Sequence, residues 1–329
     1  MRSARLDLAL ETGALSLPPE GLVAVYRPRA GDDLSALPKD RVEVITGFRP
    51  DHDHFAALGY TVRRKAEAPY AAGVVCLPRA RDLARGLIAQ ASRDVVPGGP
   101  VAVDGQKLDG IDSALKELRA RVAVSDPLSK AHGKLFVFAS GMDFSDWQIR
   151  PNDLADGMRT LPGVFSADGP DRGSVMLAEA LPADLAGHVA DLGAGWGYLA
   201  QGVLQSPRVK ALHLVEAEAD ALDCAQINVT DERVQFHWAD ATRFRAPRLM
   251  DHVVMNPPFH TGRDSDPNLG IAFIRAAAAM LTPGGQLWMV ANRHLPYDRV
   301  LPEVFREVHD IGGDAAFRVI RASAPVRKR

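Results

Sequence analysis

Short apolar runs that alternate with helix-like stretches constrain this chain more than any other feature. In the second half the strand-like runs are residues 188–192, 211–215, 234–238, 251–255 and 286–291, and helix-like stretches fall near 198–205, 218–228 and 269–281. Strands of this kind belong in a parallel sheet covered by helices on both faces. The first half echoes the pattern. Residues 73–78, a helical stretch, the turn Pro97-Gly98-Gly99 and a strand to Val103 repeat the order of residues 252–257, helix, Pro283-Gly284-Gly285 and a strand to Val290. The expectation is an internal duplication, two α/β domains of one ancestry covering residues 1–150 and 151–329. Their boundary is placed between Ser140 and Pro162, a stretch rich in Gly, Pro, Asp and Asn with no sustained period.

Composition narrows the class. A chain of 329 residues is long for one core, and 47% apolar with 24% charged residues is ordinary globular usage. The formal charge is −2, about +2 on residues 1–150 and about −4 on the rest, so any nucleic-acid surface has to be a local patch. Two distant cysteines, Cys76 and Cys224, provide neither a disulfide framework nor a zinc ligand set. Asp7 and Glu11 interrupt the only apolar run near the N-terminus, and no stretch approaches membrane-spanning length. A cytoplasmic protein is expected, with no membrane partner and no metal. A monomer is favoured, because an internal duplication can substitute for a dimer.

The chemistry concentrates at strand ends. Asn256-Pro257-Pro258-Phe259 follows the run 251–255. The prolines lack N–H groups and have fixed φ, so the strand stops there and the backbone stiffens. An amide, rigid carbonyls and an aromatic ring then stand together, a suitable seat for a flat ring bearing an exocyclic amine. Earlier in the chain, Asp191-Leu192-Gly193-Ala194-Gly195-Trp196-Gly197 joins a strand to a helix, and its glycines let backbone approach a ligand closely. The dinucleotide fingerprint fails, since its last glycine position holds Tyr198. An acid at the strand end, Asp191, suits an ammonium-bearing ligand or fixes the loop. Glu216 ends the next strand, where a carboxylate can take the two hydroxyls of a ribose. Asp240-Ala241 ends the third, within reach of an adenine amine. All four features lie at carboxyl ends of successive parallel strands, where open α/β sheets bind ligands.

This order of motifs resembles the class I S-adenosylmethionine-dependent methyltransferases, and Asn-Pro-Pro-aromatic resembles the subset that methylates planar nitrogens. Asn256-Pro257-Pro258-Phe259-His260, and Leu161-Pro162-Gly163-Val164-Phe165-Ser166 followed by Asp168, Asp171 and Gly173-Ser174, are similar to the bacterial ribosomal RNA guanine-N2 methyltransferases of the RsmC type. The resemblance is specific from about residue 161 to 292. It implies tandem Rossmann-like methyltransferase domains, the N-terminal one degenerate with an RNA-recognition or structural role. Residues 1–150 indeed lack the glycine loop and read Cys76-Leu77-Pro78-Arg79-Ala80 where the second half has Asn-Pro-Pro-Phe.

The implied reaction is methyl transfer from S-adenosylmethionine to a guanine N2 amine in ribosomal RNA, with small-subunit RNA favoured, on naked RNA or the ribosomal subunit. Asn256 and the Pro257 carbonyl accept from the amine, Phe259 stacks on the base, and Pro258 and His260 contact substrate. Asp191, Gly193, Ala194, Gly195, Gly197, Glu216, Asp240 and Ala241 bind the cofactor. Rival readings are a transferase acting on a glutamine amide or an adenine, a non-catalytic RNA-binding protein of the same fold and, more distantly, a nicotinamide-dependent dehydrogenase. His52-Asp53-His54 is read as a polar turn after Pro50, and Trp196 as a packing residue. Arg63-Arg64-Lys65 and Arg79, Arg81 and Arg85 read as solvated charged faces or phosphate contacts.

Overall fold

A computed structural model describes residues 2–67, 69–258, 260–261, 264–265 and 267–327, with backbone alone at 260–261 and 264–265. It divides into two compact units, Met1–Pro151 and Asn152–Arg329.

The first unit carries strands β1 (Val23–Tyr26), β2 (Val42–Ile45), β3 (Thr61–Arg63), β4 (Ala72–Cys76), β5 (Pro100–Gln106), β6 (Leu128–Lys130) and β7 (Gly133–Ala139). Helices α1 (Ser3–Glu11), α2 (Arg49–Ala57), α3 (Arg81–Asp94) and α4 (Ile111–Arg119) lie between or before them. The sheet order is β3-β2-β1-β4-β5-β7-β6, with the first five strands parallel and the last two pairings, β5 with β7 and β7 with β6, antiparallel.

The second unit opens with the two-residue strands β8 (Asn152–Asp153) and β9 (Arg159–Thr160). Its sheet strands are β10 (Gly187–Leu192), β11 (Val209–Glu216), β12 (Val234–Trp238) and β13 (Met250–Met255); the short pair β14 (His260–Thr261) and β15 (Asp264–Ser265) intervenes before β16 (Leu281–Asn292), β17 (Phe305–Gly313) and β18 (Phe317–Pro325). Its helices are α5 (Arg172–Ala180), α6 (Tyr198–Leu204), α7 (Ala219–Asn228), α8 (Pro267–Met280) and α9 (Tyr297–Val304). The order β12-β11-β10-β13-β16-β18-β17 repeats the first unit strand for strand, and the pairing senses match. The Pro283–Gly285 turn falls within β16, where the register with β13 slips between Leu281 and Gln286.

Successive strand residues point to opposite faces, and here both faces are buried. In the second unit Ala190, Leu192, Val253 and Met255 join one core while Val189, Leu214 and Val254 join the other. In the first, Ala24, Tyr26 and Val75 divide from Val23, Val25, Val74 and Cys76 in the same way. That double burial explains the continuous apolar runs in the sequence.

Two local expectations are corrected. His52-Asp53-His54 is helical rather than a turn, because Pro50 sits in the first turn of α2, where a missing N–H costs nothing. Among the described residues no group of three or more His, Cys, Asp or Glu side chains could hold a metal ion. The third strand of the second unit ends at Trp238 instead of Asp240-Ala241, which form the turn beyond it. Among the described residues no helix is long and apolar enough to cross a membrane.

Candidate active site

The segment between β10 and α6 turns on glycine. Gly193, Gly195 and Gly197 have φ of +75°, +55° and +92°, a region that L side chains rarely adopt. The N–H groups of Gly193 and Ala194 both donate to the Val215 carbonyl, at 2.9 and 3.1 Å, so the loop folds back on β11. A Cβ at Gly197 would stand 2.8 Å from Val229 Cγ2, whereas one at Gly195 would meet nothing within 4 Å. Gly197 is therefore demanded by packing. Gly195 leaves open space beside bare backbone, the kind of surface a ligand can approach.

Asp191 lies in β10 with its side chain fully buried, and among the described residues neither of its carboxyl oxygens has a hydrogen-bond partner. Burial, reinforced by the nearby Glu216 carboxylate, pushes its pKa up to about 8. Glu216, at the end of β11, accepts from the Gly195 N–H at 2.8 Å and the Glu218 N–H at 2.7 Å. Burial raises its pKa too, partly offset by those bonds. Read from sequence as a ribose acceptor, it also ties the glycine loop to β11. Asp240 Oδ1 accepts from the Thr242 N–H at 2.8 Å and its hydroxyl at 2.6 Å, which caps the turn after β12; Ala241 is buried beside it.

Asn256 follows the last residue of β13. Asp191 pairs in register with Val254 on that strand, so the amide stands two residues beyond the partner of the buried acid, on the adjacent strand. Its Nδ2 donates to Asp171 Oδ2 and to Ser174 Oγ, both at 2.8 Å. Asp171 is the N-cap of α5, and the same Oδ2 accepts from the Ser174 N–H at 3.0 Å. Pro257 is buried and Pro258 exposed. Phe259 and the side chain of His260 lie outside the described residues.

Sequence reasoning quoted Asp171 and Ser174 without a role for them. Asp-x-x-Ser before an apolar run signals a helix start, but nothing in it tells that the cap also holds an amide 85 residues away. Trp196 packs as expected, buried with Met158, Val164, Ala221 and Cys224, while its Nε1 donates to the Phe165 carbonyl at 3.0 Å. Asn228 completes the support, since its Nδ2 donates to the carbonyls of Trp196 at 2.9 Å and Arg159 at 2.8 Å. The stretch that carries Phe165 is thereby fastened to the glycine loop.

Comparison with known proteins places this arrangement. Residues 157–321 match the model of the methyltransferase small domain. Ribosomal RNA small subunit methyltransferase C of Alteromonas mediterranea is 33% identical over 266 residues, covering 76% of this chain and 72% of the relative. The protein of that name from Shewanella loihica is 31% identical over 297 residues, covering 84% of this chain and 86% of the relative. The chain belongs to the ribosomal RNA small subunit methyltransferase C family. A solved structure described as the T. thermophilus 16S rRNA N2 G1207 methyltransferase (RsmC), in complex with AdoMet and guanosine, has the same fold. It aligns with a TM-score of 0.79 at 22% identity, covering 98% of this chain and 91% of that one. Both units therefore have the Rossmann-like architecture of this family's tandem domains, and the glycine loop and Asn256 lie inside the matched methyltransferase domain.

Proposed function

We propose that the second unit transfers a methyl group from S-adenosylmethionine to the exocyclic N2 amine of a guanine in small-subunit ribosomal RNA. The observation that carries this reading is the placement of Asn256 at the end of the strand beside the one that leads into the glycine loop, with its amide nitrogen held by Asp171 and Ser174, the orientation in which the oxygen is the end that can serve as an acceptor.

The residues present fit the cofactor. Asp191 is a buried carboxyl group without a hydrogen-bond partner among the described residues, the state expected of a group that ionises against a ligand cation. Open space beside Gly195 admits a ligand against backbone, and Glu216 keeps acceptor capacity beyond its two backbone bonds. In this assignment Asp191 takes the ammonium, Gly193, Ala194, Gly195 and Gly197 supply the cradle, Glu216 takes the ribose hydroxyls, and Asp240 and Ala241 border the adenine. The cofactor supplies an electrophilic methyl on a sulfonium.

The protein's own task is to make a poor nucleophile competent. The lone pair of an aromatic amine is delocalised into its ring. Acceptance of its N–H groups by Asn256 Oδ1 and the Pro257 carbonyl favours a pyramidal nitrogen and stabilises the positive charge that develops during transfer. Pro257 and Pro258 hold these acceptors rigidly, and a fixed geometry alone can lower a barrier by several kcal/mol. No strong general base is needed, because the product nitrogen sheds its proton readily. Phe259 and His260 are assigned to the base, as stacking and edge contacts that offset the cost of swinging it out. The first unit, without the glycine loop or the Asn-Pro-Pro motif, serves RNA recognition or supports the second, and the protein acts as a monomer.

The test is transfer of radiolabelled methyl from S-adenosylmethionine to unmodified small-subunit particles, large-subunit particles and naked RNA, followed by nucleoside analysis. N2-methylguanosine in small-subunit RNA is the expected product. Intact cofactor binding with no label in RNA would turn the reading toward a protein or DNA substrate.

A further inference from the structure

We propose that Asp171 and Ser174 are positioning residues that lock the Asn256 amide with its oxygen facing the substrate; the kinetic part of this inference rests on the reading above. An amide can be turned over with little change in shape, yet only one orientation presents an acceptor. Asp171 chooses between them. An ionised carboxylate only accepts, so at 2.8 Å it tolerates the Nδ2H₂ end of Asn256 and repels the Oδ1 end. Ser174 Oγ gives the same nitrogen a second acceptor at 2.8 Å. With both amide hydrogens taken, rotation would break the bond to Asp171 and set its carboxylate against Oδ1, while the Ser174 hydroxyl can accept or donate in either orientation. Acceptance by a carboxylate also draws electron density toward Oδ1 and strengthens it as an acceptor.

The surroundings hold the lock itself in place. Asp171 is fixed as the N-cap of α5 by its bond from the Ser174 N–H, so one oxygen serves the helix end and the amide together. Ser174 is buried on the first turn of that helix. Gly173 stands where a Cβ would come within 3.0 Å of Asp171 Oδ2 and 3.2 Å of the Phe317 ring, so the close approach of the carboxylate needs a glycine there.

A charge-reversal cycle separates positioning from capping. Asn256→Asp sets two carboxylates against each other and is expected to lower kcat about 100-fold. Asp171→Asn added to it restores a donor–acceptor pair in the opposite sense. The combined variant is expected to recover at least about tenfold over Asn256→Asp alone, an interaction that independent losses cannot produce. Ser174→Ala keeps the backbone N–H that satisfies the cap and is expected to lower kcat several-fold, with KM for the cofactor unchanged. If the combined variant is as slow as the product of its two single changes, Asp171 is a helix cap and the proposal falls.

A second measurement does not depend on the reaction. The side-chain ¹⁵N–¹H₂ resonance of Asn256, assigned by its loss in Asn256→Ala, is expected to shift in both Asp171→Asn and Ser174→Ala. No shift in either would overturn the lock. A wild-type protein that binds cofactor but methylates no guanine would instead refute the functional reading, and the resonance would still decide the lock.

Discussion

The two units are built on one strand order, yet they treat their buried polar groups in opposite ways. In the first unit each buried carboxylate has a donor. Asp104 holds Arg2 and Arg5, Glu43 accepts from the Tyr70 hydroxyl at 2.8 Å, and Asp94 accepts from the Tyr26 hydroxyl at 3.3 Å. In the second, Asp191 is equally buried and has none among the described residues. Register and face place Val25 where the second unit has Asp191, and Cys76 where it has Asn256, because Val25 pairs with Val74 as Asp191 pairs with Val254. Thr46 and Glu216 correspond in the same way, and each accepts from the N–H two residues on. A strand end completed by apolar packing and internal bonds is finished as structure. One that leaves a buried carboxyl group unpaired is stable at a cost that a ligand can offset.

The largest effect should come at the Asn256–Cys76 pair of positions. Asn256→Ala is expected to lower kcat by about 10²- to 10³-fold with cofactor affinity within about twofold. Cys76→Ala should leave transfer unchanged and cost about 1 kcal/mol of stability, since Cys76 is a buried thiol whose pKa burial pushes up to about 12. Steady-state kinetics with calorimetric titration of S-adenosylhomocysteine reads both. Comparable losses of transfer in the two variants would break the comparison.

Next is the open side of the glycine loop. Gly195→Ala adds a Cβ that meets no protein atom, so cofactor affinity should fall by more than about tenfold while the backbone strain costs only about 1 kcal/mol. Titration and a thermal melt on the same sample separate the two.

Transplanting the first unit's residue sharpens the point. Asp191→Val should abolish cofactor binding yet raise the melting temperature of the cofactor-free protein. The sign of the pH dependence follows from linkage. With a folded pKa of about 8 against an ordinary 3.8, Asp191 keeps its proton in the folded state while the unfolded chain has lost it. Its contribution therefore makes stability decline as pH rises through that window. Denaturation series at pH 5 and 8 should show this decline in the wild type and a smaller one in the variant. Cofactor binding near pH 7 should release a proton, detected as a dependence of binding heat on buffer ionisation.

The smallest effect concerns His213 and His237, stacked at 5.2 Å on neighbouring strands with ring nitrogens 3.0 Å apart. Burial, then the charge of His237, pushes His213 down to about 4, and burial lowers His237. The unfolded chain takes up protons first, so the pair's penalty grows as pH falls below about 6.5. His213→Phe should flatten the acid limb of the stability curve, as measured by urea denaturation between pH 4 and 7.

Much of this molecule was legible in its residues. The runs at 234–238 and 251–255 became β12 and β13 almost residue for residue, because Val234, Phe236 and Trp238 alternate with Gln235 and His237 in the first and the apolar run Val253-Val254-Met255 is buried in the second. Asp191, the glycine loop and Asn256 stood out because each breaks an otherwise apolar or regular pattern. Asp240 and Ala241, expected at the tip of β12, instead lie in the turn beyond it, where hydrogen bonds from Thr242 to Asp240 give a polarity that resembles a strand terminus. His52 and His54 were read as a turn because Pro50 both breaks and opens helices.

By itself, the sequence determined the alternation of strands and helices, the duplication of that order, and which strand ends carry polar groups, all properties of local pattern and chain order. Tertiary structure alone decided which of those groups are satisfied. Asp171 and Ser174 reach Asn256 across 85 and 82 residues, and Asp191 is left without a donor, because pairing between remote side chains depends on where the folded sheet brings them. Local pattern carries no record of that distance.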